Sequence, residues 1–133
     1  MIVGMNHFTV TAEDEKKTLD FYTGLLGLKV GHRPDLGFPG AWLYGAAPQA
    51  VLHLYFGRPV PEPRTGVIDH MAFTAHDLSD TLALLASRNI AHTCRRQAES
   101  GVWQVFFFDP NGARVELDFA REEPQQRAGA KAS

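Results

Sequence analysis

The sequence predicts an α+β fold of two repeated βαβββ modules. The first observation is a self-alignment. Sliding the chain by 63 positions sets Asn6-His7-Phe8-Thr9-Val10-Thr11-Ala12-Glu13-Asp14 against Asp69-His70-Met71-Ala72-Phe73-Thr74-Ala75-His76-Asp77 without a gap. The same shift carries Thr18-Leu19 onto Thr81-Leu82, and Val51 to Phe56 onto Arg114 to Phe119. Self-similarity at a fixed period marks a duplicated supersecondary unit. The second observation is that both halves read as a strand, a helix and three further strands. The third is size: 133 residues, 44% hydrophobic and 21% charged, are expected to make one domain with a core of its own.

The elements follow in order. Ile2 to Val10 alternates as a strand, and Glu13 to Leu26 carries apolar residues at Leu19, Tyr22, Leu25 and Leu26 and closes at Gly27, a helix with a C-terminal glycine. Strands are expected at 28–32, 41–44 and 50–56. In the second half a strand over Ile68 to Ala75 leads to a helix capped by Asp77 and running to Asn89. Strands follow near 91–95, 102–108 and 113–119, the last two joined by the turn Asp109-Pro110-Asn111-Gly112. The domain is expected over 1–120, with modules at about 1–57 and 67–120, a proline-rich linker at 58–66, and a disordered polar tail at 121–133.

Composition narrows the function. Thirteen Lys and Arg against fifteen Asp and Glu give a net charge of -2, which argues against nucleic acid or an anionic membrane as a partner. No apolar run approaches the ~20 residues of a membrane helix. Cys94 is the single cysteine, so no internal disulfide forms, and the opening residues have no secretory pattern; a cytoplasmic location is expected. Burial is the preferred reading for Cys94. Six histidines in so short a chain remain to be explained.

Strand alternation assigns them to faces. Phe8 and Val10 share a face opposite His7. Leu52, Leu54 and Phe56 oppose His53 and Tyr55, Met71 and Phe73 oppose His70, and Val115, Leu117 and Phe119 oppose Glu116. The repeat makes His7 equivalent to His70 and His53 to Glu116, with the same spacing in each half: 53 − 7 = 116 − 70 = 46. Imidazoles and a carboxylate converging from four strands make a divalent-metal site.

The doubled module, the opening Asn6-His7-Phe8, the stretch Phe21-Tyr22-Thr23-Gly24-Leu25-Leu26-Gly27-Leu28-Lys29-Val30, and Asp109-Pro110-Asn111-Gly112 through Glu116-Leu117 resemble the vicinal oxygen chelate superfamily. That group includes glyoxalase I, extradiol dioxygenases, fosfomycin-resistance enzymes, methylmalonyl-CoA epimerase and bleomycin-resistance proteins. The resemblance spans about residues 2–119 and implies paired modules that form a cup around a metal. In a chain of this length it implies a homodimer, with His7 and His53 from one chain and His70 and Glu116 from the other. His7, His70 and Glu116 match the family's metal ligands, and His53 stands where glyoxalase I has a glutamate and the epimerase a glutamine.

Without His53 the set is a two-histidine, one-carboxylate triad, which suits Fe(II) and dioxygen; Mn, Ni, Co and Zn are also accommodated. The leading expectation is therefore an extradiol-dioxygenase-like enzyme on a catechol-type substrate, with His53 as catalytic acid-base group or as a fourth ligand. Phe106 and the neighbourhood of Gln97 to Glu99 depart from that pattern, where the dioxygenases carry a tyrosine and a histidine. A glyoxalase- or epimerase-like isomerase or lyase is the alternative, and a metal-free ligand-binding protein of the bleomycin-resistance type is the third reading. Trp42, Tyr44, Tyr55 and Phe106 are the expected substrate-binding residues. The Gly- and Pro-rich loop Gly31 to Gly40 is read as a lid or pocket rim as readily as a surface excursion, and its Arg33 as solvent-exposed rather than as a carboxylate clamp.

Overall fold

The computed structural model describes residues 1–66 and 68–126. Val67 and the end of the expected tail, 127–133, lie outside the described residues. The chain divides into two units, Met1–Val67 with Asp109–Ala113, and Ile68–Phe108 with Arg114–Ser133. Each contains one four-stranded mixed sheet, so the α+β fold of two repeated modules is the one observed.

The first unit runs β1 (Phe8–Thr11), α1 (Glu15–Leu19) continuing as a π-helical stretch (Asp20–Leu25), β2 (Lys29–Gly31), β3 (Gly40–Tyr44) and β4 (Ala50–Tyr55). Asp14 caps α1 by accepting from Lys17 N at 2.9 Å. The change to π geometry begins where Thr23 Oγ1 donates to the Leu19 carbonyl at 2.6 Å, a side-chain bond that competes with the backbone ladder. Gly27, at φ +78°, ends the helix in the left-handed region that glycine tolerates. The sheet order is β1-β4-β3-β2, with β1 parallel to β4. Ala41, Leu43, Leu52 and Leu54 are buried on one face of the sheet, and Phe21, Tyr22 and Leu25 are buried on the helix. Each fully buried aliphatic or aromatic side chain contributes about 1.5–3 kcal/mol.

A buried polar network fastens the Asp109–Ala113 turn within this unit. Tyr22 OH donates to Asp109 Oδ2 at 2.7 Å, and the backbone N–H groups of Asn111 and Ala113 donate to Asp109 Oδ1, each at 2.8 Å. Asn111 Nδ2 reaches Thr18 Oγ1 at 3.1 Å and Asn111 Oδ1 accepts from Glu13 N at 2.9 Å. The turn residues are thus a packed element as well as a connection.

The second unit runs β5 (Met71–Thr74), α2 (Leu78–Ser87), β6 (His92–Arg96), β7 (Trp103–Phe108) and β8 (Arg114–Phe119), in the order β5-β8-β7-β6. The repeat is exact in the parallel pairs: Phe8 lies opposite Leu52 and Met71 opposite Val115, each 63 residues on. In the hairpins it slips by one, because Trp42 faces His53 whereas Phe106, not Val105, faces Glu116.

Several local expectations change. The first and fifth strands begin at Phe8 and Met71, so His7 and His70 immediately precede their strands, and Met1 to Met5 are exposed. Asp77 occupies the cap position of α2 at φ 66° but its side chain does not cap; Glu123 Oε1 accepts from Leu78 N instead, at 2.9 Å. Glu123 O also accepts from Trp103 Nε1 and Arg121 O from Arg96, which ties the described part of the tail, residues 121–126, to the second sheet. Cys94 is half-buried rather than buried, because it lies on the outermost strand of its sheet. No described helix is long and apolar enough to cross a membrane.

Candidate metal and substrate site

In the first unit, strand alternation sends Ala41 and Leu43 of β3 and Leu52 and Leu54 of β4 into the core. That leaves Gly40, Trp42 and Tyr44 on the other face with Val51, His53 and Tyr55. Trp42 pairs with His53 and Gly40 with Tyr55. The His53 ring stacks on His7 with centroids 3.6 Å apart and planes 16° apart, and on Trp42 at 4.1 Å and 10°. His7 Nδ1 is 2.6 Å from Asn6 Oδ1, which leaves Nε2 as the other ring nitrogen. Burial, the neighbouring His7 and the charge of Arg33 all hold the His53 pKa below that of a free imidazole. Each of these favours the neutral imidazole.

The second unit carries the matching arrangement. His70 Nδ1 is 2.7 Å from Asp69 Oδ2, and its Nε2 is 2.8 Å from Glu116 Oε2. Asp69 also accepts from Arg114 at 2.8 Å, and the bonds to His70 and then Arg114 hold its carboxyl below the usual range. Glu116 is buried, and its other oxygen accepts from Gln104 Nε2 at 2.6 Å. Phe106 lies edge-on to His70 with centroids 5.6 Å apart and carries the Arg114 guanidinium at 4.4 Å from its centroid. Asp118, two residues along on the same face, has its carboxyl pushed up to about 6 by burial and by the hydrogen bond and charge of Glu116.

These donors suit a divalent metal. Ligands at 2.0–2.2 Å and right angles around one ion lie about 3 Å apart, which is the separation of His70 Nε2 and Glu116 Oε2. A carboxylate on the far nitrogen of a ligating imidazole orients the ring and raises its basicity, the relation of Asp69 to His70. Asn6 holds the same place on His7. The His53 ring, parallel to that of His7, directs its in-plane lone pairs alongside rather than toward those of His7. The described residues thus bring together His70 with Glu116, and His7 with His53 and Trp42. Among them no group of three His, Cys, Asp or Glu side chains gathers to hold an ion.

A family model matches residues 4–117 and describes the glyoxalase/bleomycin resistance protein/dioxygenase superfamily. The chain belongs to that superfamily. A curated member, Glyoxylase I 4 of Arabidopsis thaliana, is 29% identical over 125 residues, covering 87% of this chain and 70% of that one. Among solved structures of the superfamily, a glyoxalase family protein from Enterococcus faecalis is 26% identical with a TM-score of 0.64, over 87% of this chain and 97% of that one. The fosfomycin resistance protein FosX from Listeria monocytogenes superposes with a TM-score of 0.71 at 16% identity, over 94% and 99%, and shares the fold.

The remaining expected residues divide. Trp42 and Tyr55 line the face that carries His53. Tyr44 lies at its far end, its OH donating to the His32 carbonyl at 2.6 Å, where the ring covers Gly31. Phe106 is placed against His70 in the second unit. Arg33 is half-buried rather than solvent-exposed as expected: its Nε and Nη2 are covered, and among the described residues neither has a hydrogen-bond partner. Asn6, Asp69 and Gln104 escaped the sequence reading, and Asp118 was given no role by it. Asn6 and Asp69 stood in the repeated dipeptides, a signal that pointed to their role beside each histidine. Asp118 shares the face of Glu116 by alternation along β8, whereas Gln104 carried no signal, since only the cross-strand register sets it beside Glu116.

Proposed function

We propose that the chain is a divalent-metal enzyme acting on a small oxygenated substrate, with His7, His70 and Glu116 as metal ligands and His53 as the group that moves a proton. The observation that carries this reading is the His70–Glu116 pair at 2.8 Å, held from behind by Asp69 and Gln104. A bound divalent ion would polarise substrate oxygens and acidify the adjacent C–H or O–H. His53, held toward its neutral form and flanked by His7 and Trp42, is suited to accept that proton and return it. Trp42 and Tyr55 supply an aromatic wall beside it.

A glyoxalase-type lyase or isomerase comes first, supported by the likeness to Glyoxylase I 4 and by Phe106 and Gln97 to Glu99, which depart from the dioxygenase pattern. A second reading, an extradiol-type dioxygenase with Fe(II), is favoured by the stacking of His53 on His7, which leaves a two-histidine, one-carboxylate ligand set. Both place the ligands in a site shared between two copies of the chain.

Turnover measured with and without oxygen separates them. Equal anaerobic rates on hemithioacetals or acyl thioesters support the lyase or isomerase; catechol cleavage with stoichiometric oxygen uptake supports the dioxygenase. A protein that retains no Fe(II), Mn, Ni, Co or Zn after loading and desalting would overturn both.

A further inference from the structure

The loop joining β2 to β3 carries a cation, Arg33, that has no ion-pair partner among the described residues. Arg33 Nε and Nη2 lie on one edge of the guanidinium, the edge that grips a carboxylate through two parallel N–H bonds. Both are buried, and among the described residues neither has a partner. The group packs over the Phe38 ring at 4.9 Å, and Arg58 lies over the same ring at 4.5 Å and over Tyr55 at 4.3 Å. Two guanidinium groups on one aromatic ring, with no ion pair to either among the described residues, concentrate positive charge at one spot. Backbone shape contributes: a Cβ on Gly40 would stand 2.9 Å from Arg33 Nη2 and 2.5 Å from the Leu54 carbonyl, so only glycine leaves the guanidinium its place.

This spot lies on the face that carries His53. Gly40 pairs with Tyr55 and Trp42 with His53, so the arginine cluster is two strand residues, about 7 Å, along the sheet from the imidazole. Phe38 is edge-on to Tyr55 at 5.2 Å, and Tyr55, Trp42 and His53 continue as a strip of rings.

We propose that Arg33, assisted by Arg58, binds the carboxylate of a small organic acid, whose body lies along Tyr55 and Trp42 and whose reacting group reaches His53. The substrate class is thus an oxygenated carboxylic acid with about 7 Å between its carboxylate and its reacting carbon. The identity of the reacting end rests on the function proposed above; the carboxylate site does not.

Isothermal titration calorimetry of the full-length chain with benzoate, and with benzyl alcohol as the uncharged counterpart, tests the site in the presence of EDTA. Benzoate is expected to bind saturably and benzyl alcohol at least tenfold more weakly. Arg33→Gln is expected to weaken benzoate at least tenfold, and Arg33→Lys, which keeps the charge without the fork, to fall between. His70→Ala/Glu116→Ala is expected to bind benzoate like the wild type, which separates this site from the metal. No saturable benzoate binding, equal binding of benzyl alcohol, or full affinity in both Arg33 variants would overturn the proposal. Should Arg33→Gln fail to fold, Arg33→Lys alone decides. Arg33-dependent benzoate binding in a protein that holds no metal would leave the carboxylate site standing and remove the metal enzyme.

Discussion

His70 Nε2 and Glu116 Oε2 stand 2.8 Å apart, and each side chain is held from behind by a different residue, His70 by Asp69 and Glu116 by Gln104. Neither holder is adjacent to the group it serves by chance of sequence alone: Asp69 is fixed by Arg114 as well, and Gln104 comes from the neighbouring strand β7. An orienting group that is removed should weaken metal binding without abolishing it. Asp69→Asn is expected to lower metal affinity by about 10- to 100-fold, whereas His70→Ala should remove binding; competition with a metal-sensitive dye measures both. Unchanged affinity in Asp69→Asn would show the bond to be incidental.

Sharing of the site between two copies can be tested by complementation. His7→Ala and Glu116→Ala remove donors from different units. Each variant alone should lose the metal. If one chain supplies His7 and another supplies His70 and Glu116, co-refolded mixtures should regain metal at a fraction of the sites, measured by elemental analysis of the mixed dimer. No recovery would place all three ligands within one chain.

Loss of His53 should act on rate more than on binding of the ion. His53→Ala is expected to lower kcat by about 10²–10⁴-fold with metal content and melting temperature near those of the wild type. A variant that loses the metal instead would make His53 a fourth ligand.

Tyr22 is buried and donates to Asp109, and burial first, then the Asp109 charge, pushes its phenol far above the ordinary value of 10.0. Because the folded-state pKa is raised, the neutral phenol contributes stability in full below about pH 10, and that contribution falls as the pH rises beyond it, where the unfolded chain ionises and the folded one does not. Absorbance titration of wild type against Tyr22→Phe should show the Tyr22 phenol ionising only with alkaline unfolding. Tyr22→Phe should cost about 1–3 kcal/mol, seen in urea unfolding, and flatten the loss of stability above pH 10. Ionisation of Tyr22 near its ordinary value in the folded protein would contradict the burial.

Alternation and the 63-residue shift were enough to place His53 and Glu116 opposite the core faces of β4 and β8, whereas His7 and His70 stand just before β1 and β5. A strand's period of two is local, and the parallel pairs Phe8–Leu52 and Met71–Val115 keep the repeat exactly. The same signals carried the helix positions and the order of elements. They did not carry the one-residue slip that sets Phe106 rather than Val105 opposite Glu116, since hairpin register depends on turn geometry and bulges. Nor did they carry the sealed edge of Arg33, which an isolated loop would leave in water. Burial of a charge, the stacking of His53 between two rings, and the bond from Gln104 to Glu116 all arise between residues distant in sequence. Their energies depend on distances of a few ångströms that exist only after the strands have paired, and that is why folding, not composition, sets the chemistry of this face.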